Sequence, residues 1–124
     1  MRAVDPEVVR LFQFTTEVLM AWLLVVLAGV FEIGMAAFLK ASDGFTKLPA
    51  GIAFGVCSVV SFSLLATALK DLPVGTAYAV WTGIGAAGTA ILGIAVLGEA
   101  VSALRVGSIL LIVAGVIGLK LATA

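Results

Sequence analysis

The sequence predicts an all-α membrane protein of four transmembrane helices, and three observations predict it. Of the 124 residues, 63% are hydrophobic and only 11% charged, against about 25% charged in ordinary soluble domains. The mean hydropathy is +1.29. A water-soluble domain this small cannot hide so much apolar surface, because small domains bury only part of what they have. Charged residues divide the chain into four apolar runs. Each is about 20 residues, enough to cross roughly 30 Å of hydrocarbon at about 1.5 Å per residue. None alternates with period two as a barrel strand does. In lipid every backbone amide needs an internal partner, so helices are the remaining solution.

Residues 1–19 stand apart from this pattern. Asp5, Glu7 and Glu17 lie among Arg2 and Arg10, with a proline at position 6. The stretch Leu11–Thr16 is too short and too polar for a signal-peptide core. One reading is a flexible N-terminal extension. A sharper one takes Met20, which abuts the first apolar run, as the natural start. The transmembrane domain then covers 20–124. Its first helix is expected at 20–40, interrupted only by Glu32 and closed by Lys40. The connector Ala41–Lys47 is polar and contains glycine, as a turn does. The second helix, 48–69, ends at Lys70-Asp71, and Pro73 and Gly75 break the chain there. The third is expected at 75–97, before Gly98-Glu99. The fourth, at 101–121, carries Arg105 near its start and Lys120 near its end.

Composition also excludes function classes. Seven basic and seven acidic side chains cancel, so no basic face points to nucleic acid. Histidine is absent, which removes the usual metal ligand and the usual neutral-pH base, and neither a metal nor a cofactor is expected. Cys57, the single cysteine, cannot form an internal disulfide and reads as a small buried hydrophobe. The motif Gly83-Ile84-Gly85-Ala86-Ala87-Gly88 fits the dinucleotide fingerprint. No strand precedes it and no acid follows about 20 residues onward, so the fingerprint is rejected.

Glu32 is the primary candidate site. It lies 12 residues after Met20, about 18 Å along a helix and not far from the bilayer middle. An acid there costs on the order of 3 kcal/mol to insert, which marks it as functional by default. Ala28, Gly29 and Ala36, at i−4, i−3 and i+4, are small and leave a concave face around it. On the third run Tyr78, Trp81 and Thr82 share one helical face. An aromatic wall beside a buried carboxylate suits an organic cation, although aromatics near a helix end also form interfacial belts. Ser58, Ser61, Ser63 and Thr67 offer hydroxyls on the second run, most of which merely bond their own backbone. Gly83, Gly85 and Gly88 permit close helix contact or a flexible bend in the third helix. Gly107, Ala114 and Gly118 form a strip of small residues on the fourth, read as a helix–helix contact face.

One chain of four helices is too small to surround a solute pathway, so an oligomer is expected in the bilayer. Excluding residues 1–19, Lys70 and Lys120 stand on one side of the membrane and Lys40, Lys47 and Arg105 on the other. That is a weak orientation bias, and Arg2 and Arg10 reverse it. A channel would need a continuous polar lining, which these runs lack. A subunit with only an assembly role would not need Glu32.

Four segments carry a resemblance. They are Gly29-Val30-Phe31-Glu32, Ser42-Asp43-Gly44-Phe45-Thr46, the run Leu72-Pro73-Val74-Gly75-Thr76-Ala77-Tyr78-Ala79-Val80-Trp81-Thr82-Gly83-Ile84-Gly85, and Gly118-Leu119-Lys120. The chain from Met20 to about Thr123 resembles the small multidrug resistance transporters, and within them the guanidinium exporters. The resemblance implies an antiparallel, dual-topology dimer in the bacterial inner membrane. It implies exchange of protons for a small organic cation at a shared Glu32 pair, with Tyr78 and Trp81 lining the pocket and Ser61 as the hydroxyl supporting the glutamate. The substrate expected first is guanidinium, and quaternary ammonium compounds come second. Guanidinium exporters typically carry tryptophan three residues after the glutamate, where this chain has Met35. That departure bears on substrate identity and opens a heterodimeric partnership beside the homodimer.

Overall fold

The computed structural model describes residues 2–123. It contains four helices, α1 (Pro6–Ala41), α2 (Leu48–Ala68), α3 (Val74–Ala95) and α4 (Ala103–Thr123), with no strand among the described residues. All four are long and apolar enough to cross a membrane. Seven of the eight helix ends lie within two residues of the sequence expectation, but α1 starts far earlier than position 20. The Asp5 carboxylate accepts the Glu7 backbone N–H at 2.9 Å, capping the helix, and Pro6 occupies the first turn, where a missing N–H does no harm. No glycine or further proline interrupts the chain before Gly29, so the helix has no reason to stop. The extension is therefore helical rather than irregular. At 36 residues, α1 is about 54 Å long, well beyond the hydrocarbon thickness.

Cross-helix contacts fix the register. Ser61 of α2 bonds Ala28 of α1, and the Cys57 sulfur lies 3.4 Å from where a Cβ on Gly34 would sit. Lower numbers on α2 thus meet higher numbers on α1, and the pair is antiparallel. Gly29, Glu32 and Ile33 of α1 meet Ile84, Gly85 and Gly88 of α3 in the same order, so α1 and α3 run the same way. Gly83 of α3 meets Val116 of α4, whereas Ile91 and Ile94 share a cleft with Ile109 and Val106, so this pairing is antiparallel. The result is an up-down-up-down bundle with short connections, the expected solution for sequential helices.

The connection after α1 is built on Ser42. Its hydroxyl donates to Leu39 O at 2.8 Å and accepts from Phe45 N–H at 3.1 Å, and the residue is fully buried. Gly44 follows with φ +67°, a conformation that favours glycine.

The buried core is not evenly spread. It joins Ala21, Trp22, Val25 and Ala28 of α1 to Leu65 and Ala68 of α2, Leu72 of the following turn, and Ala77, Val80 and Trp81 of α3. All lie in the half of the bundle where α1 enters and α3 begins. Among the described residues, α4 packs its backbone against α3 alone and buries only Ile109.

Residues 2–17 are exposed throughout, and the core starts at Ala21. A chain beginning at Met20 is therefore expected to insert and to transport as well as the full chain. Membrane-fraction yield and vesicle flux of the two versions check this, and loss of either in the shorter chain would make the extension part of the working unit.

Candidate functional site

Above the packed half the bundle opens. Glu32 of α1 lies half-buried at the edge of a cavity of about 420 Å³, which continues past Met35 and Leu39 of α1 and past Thr82, Gly85 and Thr89 of α3 to Glu99. Local sequence explains why the space exists. Gly85 and Ala86 of α3, with Ala36 of α1, present almost no side chain to it.

Gly85 does more than leave room. A Cβ added there would overlap the Glu32 carboxyl group, so the acid occupies the volume that any other residue would take. The same close approach recurs on either side. A Cβ on Gly29 would come within 2.6 Å of Ile84 Cγ2, and one on Gly88 would overlap Ile33 Cδ1. Gly83 faces the other way, where a Cβ would overlap Val116 of α4. Of the two uses open to these glycines, close helix contact or a bend, close contact is the one visible here, and α3 runs as one unbroken helix through them. Within this site Glu32 Oε2 is buried without a hydrogen-bond partner among the described residues.

The other expected pocket residues form a second cluster, one turn lower. Trp81 is 4% exposed, and its Nε1–H donates to the Ser61 hydroxyl at 3.0 Å. Ser61 in turn donates to Ala28 O at 2.7 Å. Its hydroxyl thus bonds the backbone four residues before Glu32 and makes no hydrogen bond to the carboxylate among the described residues. Tyr78 stacks obliquely on Trp81, with ring centroids 5.2 Å apart, and remains 52% exposed. Phe62 also packs on Trp81, with ring centroids 5.4 Å apart. Of the five binding residues expected, the structure brings Glu32 and Met35 to the cavity and gathers Ser61, Tyr78 and Trp81 beneath it.

Gly107, Ala114 and Gly118 form no close helix contact like those of the α3 glycines among the described residues. The last two are exposed and Gly107 half-buried, and no atom lies within 4 Å of a Cβ built on either glycine. Sequence reasoning missed Glu99 as a cavity residue. Its signal was present: it is the single acid between the third and fourth runs, directly after a glycine.

The family model described as Small Multidrug Resistance protein matches residues 20–112. A guanidinium exporter of Escherichia coli (strain K12) is 52% identical over 104 residues, covering 84% of this chain and 99% of the relative. A guanidinium exporter of Yersinia pestis is 57% identical over 104 residues, covering 84% of this chain and all of the relative. A guanidinium exporter of Citrobacter freundii is likewise similar, at 52% identity.

Because the Glu32 carboxyl lies against Gly85 through its flexible far end, a methyl at position 85 displaces the acid rather than the helices. Gly85→Ala is therefore expected to insert normally but to slow transport, at a stability cost of about 1–3 kcal/mol. Vesicle flux beside a thermal melt in detergent checks it, and unchanged flux would mean that the carboxylate tolerates displacement.

Proposed function

Since this chain belongs to the Small Multidrug Resistance family, we propose that it exports guanidinium, or a similarly small organic cation, in exchange for protons. It is a multi-pass protein of the bacterial inner membrane, a transporter and not an enzyme. The carrying observation is Glu32, the only acid in the four apolar runs, at the edge of a cavity with one buried oxygen unpartnered.

The chemistry supports this cation class. A guanidinium is planar and presents parallel N–H donors that match the two oxygens of a carboxylate. In an apolar surrounding a lone carboxylate is costly, so it is neutralised either by a proton or by a cation. Holding one excludes the other. That exclusion couples the two fluxes with no further machinery: a cation leaving on one side frees the acid for a proton, and the proton must leave before the next cation binds. Tyr78, Trp81 and Ser61 complete the proposed site. In one chain they stand beneath the cavity, so their part is played where two chains meet. An antiparallel dimer through the uncovered small-residue strip Gly107, Ala114 and Gly118 fits the weak charge bias of the sequence, with a heterodimer as the second arrangement.

Met35 lines the cavity and favours a second substrate reading, quaternary ammonium cations. An unbranched thioether is adaptable and apolar, so it admits bulkier cations than a rigid indole would. Met35→Trp is expected to narrow selectivity toward guanidinium in a competition assay, and identical profiles for both versions would remove this position from the selectivity problem.

Glu32→Gln keeps size and hydrogen-bonding capacity but cannot titrate. It is expected to insert and to abolish substrate-driven proton movement in vesicles, and wild-type-like coupled flux from this variant would sink the mechanism. In the wild type, cation binding weakens as pH falls through the titration of the shared carboxyl. Binding independent of pH would separate the proton site from the cation site.

A further inference from the structure

Glu99 lines the same cavity as Glu32, and the exchange just described gives it no task. From its geometry we infer that Glu99 is a capture site at the cavity mouth, where an arriving guanidinium-type cation displaces the guanidinium of Arg105 before it reaches Glu32. This rests on the export reading above.

Position comes first. The helices α1 and α3 run in the same direction, so Ala41 and Ala95, their last residues, lie at the same membrane face. Glu99 follows α3 and lies toward that face. The cavity runs along α1 from Glu32 to Leu39, about 10 Å of helix, which puts Glu99 at its outer end.

The backbone then aims the carboxylate. Gly98 has φ +71°, a left-handed conformation that turns the chain back. The Glu99 N–H donates to Gly93 O at 2.9 Å, anchoring the residue on the last turns of α3. Its carboxylate lies over Gly93, where a Cβ would come within 2.6 Å of Oε2. Two glycines thus bring this acid against α3 while leaving it about half exposed.

Its partner is chemically informative. Arg105 Nη2 stands 3.3 Å from Glu99 Oε2, and Nη1 donates to Ala100 O at 2.7 Å. The chain's own guanidinium therefore holds one oxygen of the carboxylate, through a single terminal nitrogen. The side chains of Arg105 and Glu99 are 42% and 47% exposed. Exposed pairs of this kind are weak and exchange readily, so an arriving cation can replace Arg105. Displaced, Arg105 stays within Coulomb range as a like charge, which favours onward movement to Glu32.

The test is the sign of two effects, measured as guanidinium uptake against concentration in proteoliposomes. Glu99→Gln is expected to raise KM severalfold while the maximal rate is retained. Arg105→Gln frees the carboxylate and is expected to lower KM. Glu99→Asp should recover part of the loss, and the wild-type KM is expected to rise with salt, a dependence that should shrink in Glu99→Gln. A merely structural latch predicts that both neutralisations shift KM in the same direction, and that result overturns the inference, as does an unchanged KM in both. If Glu99→Gln does not insert, Arg105→Gln decides alone, and an unchanged or raised KM rejects the capture role. Wild-type vesicles serve as the control. No guanidinium flux there rejects the export reading itself, whereas normal wild-type flux with the wrong pattern in the variants rejects only the role of Glu99.

Discussion

The close approach of α1 to α3 around Glu32 is the constraint on which the rest of this bundle depends. A carboxylate facing hydrocarbon is expensive, and the chain avoids that exposure by turning the acid toward another helix. Turning it inward requires space, which a side chain at position 85 would fill, so α3 presents glycine there. The two helices then interlock above and below the acid, Ile84 against Gly29 and Ile33 against Gly88. Each large residue faces a glycine on the partner, which is how helices without a hydrophobic driving force in lipid gain packing energy. That interlock holds the carboxylate at one height and one angle to the cavity.

The interlock also divides the bundle into halves of opposite character. Below Glu32 lies the buried cluster from Ala21 to Trp81, crossed by a hydrogen-bond chain from the Trp81 indole through Ser61 to the Ala28 carbonyl. Buried polar groups are tolerated when they are satisfied, and here each donor finds an acceptor on a different helix. The chain of bonds therefore ties α3, α2 and α1 together one turn beneath the acid. It forms the floor of the site. Lys120 of α4 adds a lateral tie at the same end of the bundle, its ammonium 4.7 Å from the Trp22 ring centre. Above Glu32 the cavity-lining residues of α3 are alanine, glycine and threonine, and the cavity follows. One half is built to hold position and the other to admit something.

Most of this fold was legible in the sequence because lipid leaves few alternatives. Four apolar runs can only be helices, and their charged punctuation places the ends. The extension was harder to read, since its charges separate it from the apolar pattern while nothing in Pro6–Thr16 breaks a helix. Charge pattern and helix propensity answer different questions there, and propensity decided the local structure. At the site, Glu32 was legible as the one acid within the apolar runs, and Met35 through the position that the family resemblance singles out. The placement of Ser61 was not. A hydroxyl on a neighbouring helix has no spacing rule linking it to a carboxylate, and a difference of one turn sends it to Ala28 O instead. Glu99 was missed for a related reason. Its role depends on Gly98 folding the loop back onto α3, and a left-handed glycine in a connector does not announce the direction it turns.

Two acids along one cavity, in unlike surroundings, give the proposed pathway its direction. Glu99 is half exposed and already holds a guanidinium, so it trades one weakly bound cation for another at little cost. Glu32 is deeper, with one oxygen buried and unpartnered, and a cation reaching it satisfies a group that water satisfies poorly. Binding therefore strengthens inward while solvation falls, and only a cation able to shed its water crosses from the first acid to the second. Guanidinium is weakly hydrated compared with an ammonium, which favours it at that step. Between the two acids stands Met35, apolar and adaptable. It offers no hydrogen bond to reward a small planar ion over a larger one. On this reading charge and dehydration choose the class of substrate, and the width left beside Met35 sets how large a member of that class can pass.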